Sequence, residues 1–344
     1  MRTVYSKDHE RQHGTAELNE GRMMPVVEMP RRAHTILARV REVGLGAIDA
    51  PTDHGTAPLG RIHSAPYLSF LESAWDEWSK LHGEIDAMPL NWLVRGLRQK
   101  EPRYIDGRIA FYAGDAGTPI TAGTWRAATS SANVALTGVD IMQAGERTAF
   151  SLCRPPGHHA SADVYNGYCF LNNAAIAAQA WRDAGADRVT ILDVDYHHGN
   201  GTQAIFYDRG DVQVVSIHAD PMEEYPYFLG HADERGVGAG EGANLNLPLP
   251  FGTDYARFGE ALDTACAAVA DFGPDVVVLS LGADTYKDDP ISKFKLESDD
   301  FNRIGERIAG LALPTHFVME GGYAVDALGV NVCNVLTAFE GALD

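Results

Sequence analysis

The segment DVDYHHGNG, residues 193–201, places two carboxylates and two imidazoles at the end of an apolar run. Charge is costly to bury, so a strand that feeds a hydrophobic core does not end this way without something to balance it. In an extended chain residues i, i+2 and i+4 share a face, so Asp193, Asp195 and His197 point together if the extension persists. A carboxylate and an imidazole from one strand end, joined by a carboxylate from another loop, make a three-ligand set. That leaves a position for water, as catalytic metal sites require. Asp195, His197 and Asp284 are assigned to the set. Its two negative charges neutralise a divalent ion, and its donors suit either Zn2+ or Fe2+. The competing reading is a metal-free hydrogen-bonded cluster that stitches a loop in place.

Further candidates follow other apolar runs. His158 and His159 stand in RPPGHHA, where two prolines stiffen the approach and Gly157 permits a tight turn. Adjacent histidines are often incidental surface residues, but here Asp193 and Asn200 are available to orient them. A His–carboxylate pair favours imidazolium and a His–amide pair leaves neutral imidazole, so different partners keep one ring charged and one basic. Tyr323 follows the diglycine of EGGY. Its phenol stays protonated near neutral pH and can donate to an oxyanion, although read alone it is more often a core or surface residue. His218, after VVSI, has no such company and reads as structural.

The elements that position these residues are legible as five apolar runs: 148–153, 188–195, 212–218, 275–284 and 315–323. They are rich in β-branched residues and nearly continuous, as parallel strands covered on both faces should be. Helical patterns lie between them at 172–185, 254–273 and 299–313, the last with Ser298 as its expected N-cap. Alternation of this kind predicts an open parallel α/β sheet in one domain. Such sheets bind ligands beyond the carboxyl ends of their strands, where four of the five runs release the residues named above. Residues 236–244, GVGAGEGAN, read as a flexible surface loop. Residues 79–122 lack clear periodicity and read as an excursion that shapes a site or a contact.

The bulk chemistry excludes several function classes. The chain has 344 residues, with 28 Lys and Arg against 47 Asp and Glu, a formal charge of −19. That field repels phosphate backbones and anionic lipid, so no nucleic-acid or membrane partner is expected. Cys153, Cys169, Cys266 and Cys333 are far apart, which suits a reducing cytoplasm. No apolar run approaches the roughly 18 residues of a membrane span.

The motifs RPPGHHA, DVDYHHGNGTQ, LGADTYKDDP and EGGY resemble those of the zinc-dependent histone deacetylase superfamily, and within it the bacterial acetylpolyamine amidohydrolases. The resemblance covers nearly the whole chain. It implies a single-domain arginase–deacetylase fold, an eight-stranded parallel sheet with helices on both faces. It implies deacetylation of acetylpolyamines or acetylated diamines, with Zn2+ at Asp195, His197 and Asp284 and with Fe2+ or Co2+ as substitutes. His159 is then general base and acid, His158 paired to Asp193 the more electrostatic partner, and Tyr323 the group that polarises the carbonyl. Asn200 stands where some relatives carry aspartate.

The same resemblance implies a structural K+ on Asp193, Ser216 and the carbonyls of Asp195, His197 and Ile217. Tyr168, after Gly167, becomes a wall of a narrow tunnel, and Glu17, Asp106 and Tyr225 recognise the alkyl chain and its distal ammonium. Gly117 departs from the pattern where a second carboxylate is expected, with Asp115 close by, which puts long polyamines such as acetylspermine in question and leaves short acetylated diamines as expected substrates. The 79–122 excursion is expected to narrow the entrance and to contribute to a homodimer. The rival readings are an acetyl-lysine deacetylase of peptides, an arginase-like two-metal enzyme and a non-catalytic sensor. The second lacks a further metal's ligands, and the third should have lost the tyrosine or a histidine.

Overall fold

Strand–helix alternation organises the chain from end to end in the computed structural model, which describes residues 1–19, 21–93 and 98–343. In order these are β1 (Arg2–Val4), a hairpin of β2 (Glu17–Asn19) and β3 (Arg22–Met24), α1 (Arg31–Val43) and β4 (Ile48–Asp49). There follow α2 (Ala65–His82), α3 (Ile105–Tyr112), α4 (Thr124–Gln143), β5 (Thr148–Ser151), α5 (Asn173–Asp183), β6 (Val189–Asp193) and α6 (Asn200–Phe206). The remainder is β7 (Val212–Ala219), β8 (Asn244–Leu249), α7 (Tyr255–Phe272), β9 (Val276–Leu281), α8 (Asp300–Ala309), β10 (Thr315–Met319) and α9 (Val325–Gly341).

Eight strands form one sheet in the order β4-β1-β5-β10-β9-β6-β7-β8, and every neighbouring pair is parallel. Successive strand residues face opposite layers, which is why the runs are apolar without interruption. Val189 and Ile191 of β6 pack with α4 and α5 residues such as Val134 and Ile176. Leu192, one position on, packs on the other side with Phe258, Ile304 and Leu336 of α7, α8 and α9. From β6 the chain steps outward through β7 and β8, then returns to lay β9 and β10 on the opposite side of β6. The crevice where strand order reverses therefore lies at the carboxyl ends of β6 and β9.

The eight parallel strands agree with the sheet that the resemblance implies: besides the five read from apolar runs, β1, β4 and β8 complete it, and β1 and β4, with three and two residues, are too short to leave a pattern. Two sequence expectations need correction. Ser298 does not cap α8: Asp299 holds that position without a side-chain cap bond, and the Ser298 carbonyl accepts from Asn334 Nδ2 at 2.8 Å. The glycine-rich 236–244 segment is built rather than slack, with a short 3₁₀ turn at Gly238–Gly240 that leads into β8. Within the 79–122 excursion, α2 ends, α3 forms, and Ala87 bridges to Ile120; residues 94–97 lie outside the described residues.

Candidate active site

Four adjacent strands, β5, β10, β9 and β6, deliver the candidate residues to one rim. The chain does not stay extended past Asp193. The Asp195 amide donates to Asp193 Oδ1 at 3.0 Å and the His197 amide to Asp195 Oδ1 at 2.9 Å. Each aspartate thus folds the backbone over its own side chain, which corrects the shared extended face predicted for residues 193, 195 and 197. Asp193 turns instead to His158, with its Oδ2 2.9 Å from Nδ1. Asp195 and His197 converge with Asp284, which follows β9. His197 Nδ1 lies 3.0 Å from Asp284 Oδ2 and 3.5 Å from Asp195 Oδ1, and the Tyr196 amide donates to Asp284 Oδ1 at 2.9 Å. One donor atom from each of Asp195, His197 and Asp284 lies within 4.8 Å of the other two, and all three residues are buried.

The donor set fits a divalent cation. Burial, and then the neighbouring Asp195, push the Asp284 carboxyl up to about 7. Burial alone would discharge His197, but its bonds to Asp195 and Asp284 outweigh this and raise its pKa to about 10. Two buried carboxylates around one imidazole therefore demand positive charge at their centre, which a proton meets partly and a divalent ion fully. The backbone is shaped to match. A Cβ on Gly321 would stand 2.5 Å from Asp284 Oδ2 and 2.6 Å from Asp195 Oδ2, so the diglycine of EGGY allows close approach. The Gly321 amide uses that approach to donate to Asp195 Oδ2 at 2.8 Å.

His158 and His159 stand beside this cluster with ring centroids 4.0 Å apart, and they take the two orienting partners available in the sequence, Asp193 and Asn200. Burial opposes charge on His158, yet Asp195 and Asp193 prevail and raise its pKa to about 10. His159 Nδ1 is 2.7 Å from Asn200 Oδ1. Burial, with the His158 and His197 charges, keeps His159 well below its ordinary range and hence neutral. Tyr323 is buried, its phenol raised well above its usual value by desolvation. Its backbone amide donates to Asp289 Oδ2 at 2.6 Å, and the Arg32 guanidinium stacks 4.7 Å above its ring.

Aromatic rings form walls around the cluster. Tyr225 meets His159 edge-on at 5.1 Å and His197 at 6.2 Å, and Tyr168 meets Tyr323 at 5.6 Å. Tyr168 adopts φ 66°, and its hydroxyl donates to Glu17 Oε1 at 3.1 Å. Burial raises the Glu17 carboxyl to about 7. Asp115 is committed to structure: its Oδ2 accepts the Gly167 amide at 2.6 Å and the Tyr225 hydroxyl at 3.0 Å, and its Oδ1 accepts the Gly117 amide at 3.0 Å. Asp106 is placed differently, on α3 against His82 at 3.0 Å, and among the described residues no hydrogen bond or ring contact joins it to the cluster. Asp193 and Ser216 are register partners across β6 and β7, next to Ile217. His218 is a buried structural residue, bonded to Ser216 Oγ at 2.8 Å and the Gly230 carbonyl at 2.9 Å.

Sequence reasoning missed the supports behind these residues. The buried Glu320 carboxylate accepts the amides of Gly157 and His158 at 2.7 and 3.1 Å and so anchors the histidine pair. Its signal was present: a charged residue ending a buried strand inside a motif already singled out. Glu28 pairs with both Arg32, at 2.7 Å, and Arg154, at 2.8 Å, and all three are buried. Arg32 in turn donates to the carbonyls of Gly322 and Glu320 at 2.6 Å each. No local spacing reveals partners separated by more than a hundred residues.

Known proteins share this architecture. Residues 26–339 match the histone deacetylase domain family. Acetylpolyamine amidohydrolase 2 of Pseudomonas aeruginosa is 56% identical over 341 residues, 99% of each chain. Acetylpolyamine amidohydrolase of Mycoplana ramosa is 48% identical over 99% of this chain and 100% of its own. The crystal structure of acetylpolyamine aminohydrolase from Burkholderia pseudomallei superposes with a TM-score of 0.96 at 42% identity, over 100% of this chain and 99% of that one. Because these matches run nearly end to end and the rim motifs converge as such a fold requires, the chain belongs to the histone deacetylase family, as a hydrolase of amide bonds in a fold that implies a divalent metal.

Proposed function

We propose that the protein deacetylates small N-acetylated amines, acetylpolyamines or acetylated diamines such as acetylputrescine and acetylcadaverine, to the free amine and acetate. The observation that carries this reading is the buried Asp195–His197–Asp284 cluster beside two histidines with different partners, His158 on Asp193 and His159 on Asn200. The names of the full-length relatives support the substrate class. The cation is Zn2+, with Fe2+ or Co2+ as substitutes, held by Asp195, His197 and Asp284; when bound it supplies Lewis acidity, which can lower the pKa of a water from 15.7 to roughly 7.

The chain's own groups do the remaining work. Asn200 Oδ1 accepts from His159 Nδ1, which leaves Nε2 with its lone pair as the base that takes a proton from the attacking water. His158 donates Nδ1–H to Asp193, stays charged, and holds positive potential beside the carbonyl as that group gains negative charge. Tyr323, kept protonated by burial, donates to the same oxygen. His159 then returns its proton to the departing nitrogen, without which the amine is a poor leaving group. The rings of Tyr168 and Tyr225 suit an alkyl chain, Gly167 packs against the His159 ring beside them, and Glu17 suits recognition at the entrance. Asp106 reaches a substrate only through a rearrangement or a partner subunit.

A structural K+ belongs on Asp193, Ser216 and the carbonyls of Asp195, His197 and Ile217; the β6–β7 register supports it. A homodimer through the 79–122 excursion is supported by exposed apolar side chains there, including Ile85, Leu90 and Trp92. Among the described residues no helix is long and apolar enough to cross a membrane. Four buried free cysteines and the strong negative charge support a cytoplasmic protein without nucleic-acid or membrane partners. The deciding experiment is amine release by metal-reconstituted enzyme across acetylated diamines, acetylpolyamines and acetyl-lysine peptides. Higher kcat/KM on the small amines is expected; a strong preference for peptides overturns the substrate assignment.

A further inference from the structure

Away from the catalytic rim, a second group of side chains has the chemistry of a metal site. His9 and Glu10 lie in the 3₁₀ turn Lys7–Arg11, and His34 lies on α1. Each offers one donor atom, and the three atoms lie within 4.8 Å of one another. His34 Nε2 stands 2.8 Å from Glu10 Oε1, and the His9 and His34 rings meet edge-on at 5.1 Å. His9 is 3% exposed and its Nδ1 has no hydrogen-bond partner, whereas Nε2 lies 3.0 Å from Tyr5 Oη. A buried ring nitrogen without a partner is costly. If Nε2–H donates to the Tyr5 oxygen, Nδ1 keeps its lone pair, the state in which imidazole binds a metal. A hydrogen bond at the opposite nitrogen is the usual way such a ring is fixed. Burial, and then the nearby Arg154 charge, hold the His9 pKa down to about 3, so the ring is neutral near pH 7.

We propose that His9, Glu10 and His34 form a second divalent-cation site, separate from the Asp195 cluster, that pins the N-terminal turn to α1. Two imidazoles and one carboxylate select Zn2+, Co2+ or Ni2+ over Mg2+ or Ca2+, which prefer all-oxygen sites. Tetrahedral N and O ligands at about 2.0–2.2 Å from the metal stand roughly 3.4 Å apart. The donors must therefore draw in slightly; Glu10 and His34 are about half exposed and able to move, while His9 is fixed. Arg154 is the opposing charge near His9, and Glu28 at 2.8 Å balances it.

Occupancy acts on stability rather than on chemistry. Arg154 donates to the carbonyls of His9 and Gln12, so it is held by the turn that carries the site. Helix α1 carries Arg32, which holds the carbonyls of Glu320 and Gly322. A cation joining the turn to α1 braces the two segments behind the catalytic loops without touching substrate.

The test uses tag-free enzyme already loaded with one equivalent of catalytic metal. It is dialysed against Zn2+ and, separately, Co2+ up to about 1 mM, a limit that catches even weak sites. Bound metal is counted, and melting temperature and amine release are measured. The wild-type protein should take up one further equivalent, with a rise in Tm. His34→Ala and Glu10→Gln, both at exposed positions, should each lose that equivalent and the rise in Tm while amine release stays unchanged. A wild-type protein that takes up none, or either variant that still takes up the extra equivalent, overturns the proposal.

Discussion

Gly167→Ala probes how closely the catalytic residues are packed. Gly167 adopts φ 53°, with its amide on Asp115 and the next amide, of Tyr168, on Thr118 Oγ1 at 2.9 Å. A Cβ at Gly167 would stand 2.1 Å from His159 Cδ2 and 2.5 Å from its Cγ. Carbon atoms in contact rest about 3.5 Å apart, so the ring or the loop must give by roughly 1.4 Å. The loop is tied by two amides, and the ring by the single bond to Asn200; the ring is expected to move. Misplacing a catalytic group by about 1 Å costs on the order of 10²-fold in rate, equivalent to about 2.7 kcal/mol of barrier. The left-handed backbone adds about 1–2 kcal/mol of strain for any residue with a Cβ. The variant should therefore retain its metal, melt lower, and turn over about a hundred times more slowly. The assay is amine release from acetylputrescine at saturation, with metal content and melting measured on the same sample. A folded, metal-loaded variant within about threefold of wild-type turnover would refute the packing argument.

Further outcomes follow from the same geometry. Tyr323→Phe should lower kcat by about 10²–10³ with metal content unchanged, the effect of losing one oxyanion donor; near-normal turnover removes Tyr323 from that role. Glu17 has a folded-state pKa of about 7 against 4.5 when free. The folded protein therefore binds more protons than the unfolded chain between those values, and stability falls as pH rises through that window. The 2.5-unit difference is worth up to about 3 kcal/mol, and Glu17→Gln should flatten this part of the pH dependence in urea melts at pH 4.5 and pH 8. Glu28→Gln leaves Arg32 and Arg154 buried without their shared counter-charge, so unfolding free energy should drop by about 3–5 kcal/mol in denaturant titration. A loss under about 1 kcal/mol would mean that the backbone carbonyls alone suffice for the two arginines.

Most of the catalytic rim was legible because parallel strands advertise themselves as uninterrupted apolar runs, and each of the four runs ended in residues with little other reason to be there. Residue type offered His158 and His159 two unlike partners, and the resemblance gave Asp193 to His158; the structure pairs His158 with Asp193 and His159 with Asn200. The bend after Asp193 was missed because strand periodicity was extrapolated one turn too far; aspartate bonding to the amide two residues on is the competing local chemistry. β8, NLNLPL, escaped because it contains a proline, which an edge strand tolerates. Glu28 and Arg32 stand at i and i+4, a spacing that was there to read, whereas the second arginine, Arg154, was invisible because a long-range ion pair leaves no periodic trace. The contact of Asp106 with His82 was not legible either, because it depends on how α2 and α3 pack.

The account rests on Asp195 and Asp284 together holding a cation beside His159. The most direct test is amine release from acetylputrescine by the metal-loaded wild-type protein and by an Asp195→Ala/Asp284→Ala double variant shown to be folded. The expected result is turnover by the first and none above background by the second, whatever metal is added. Equal rates from the two proteins would contradict the assignment.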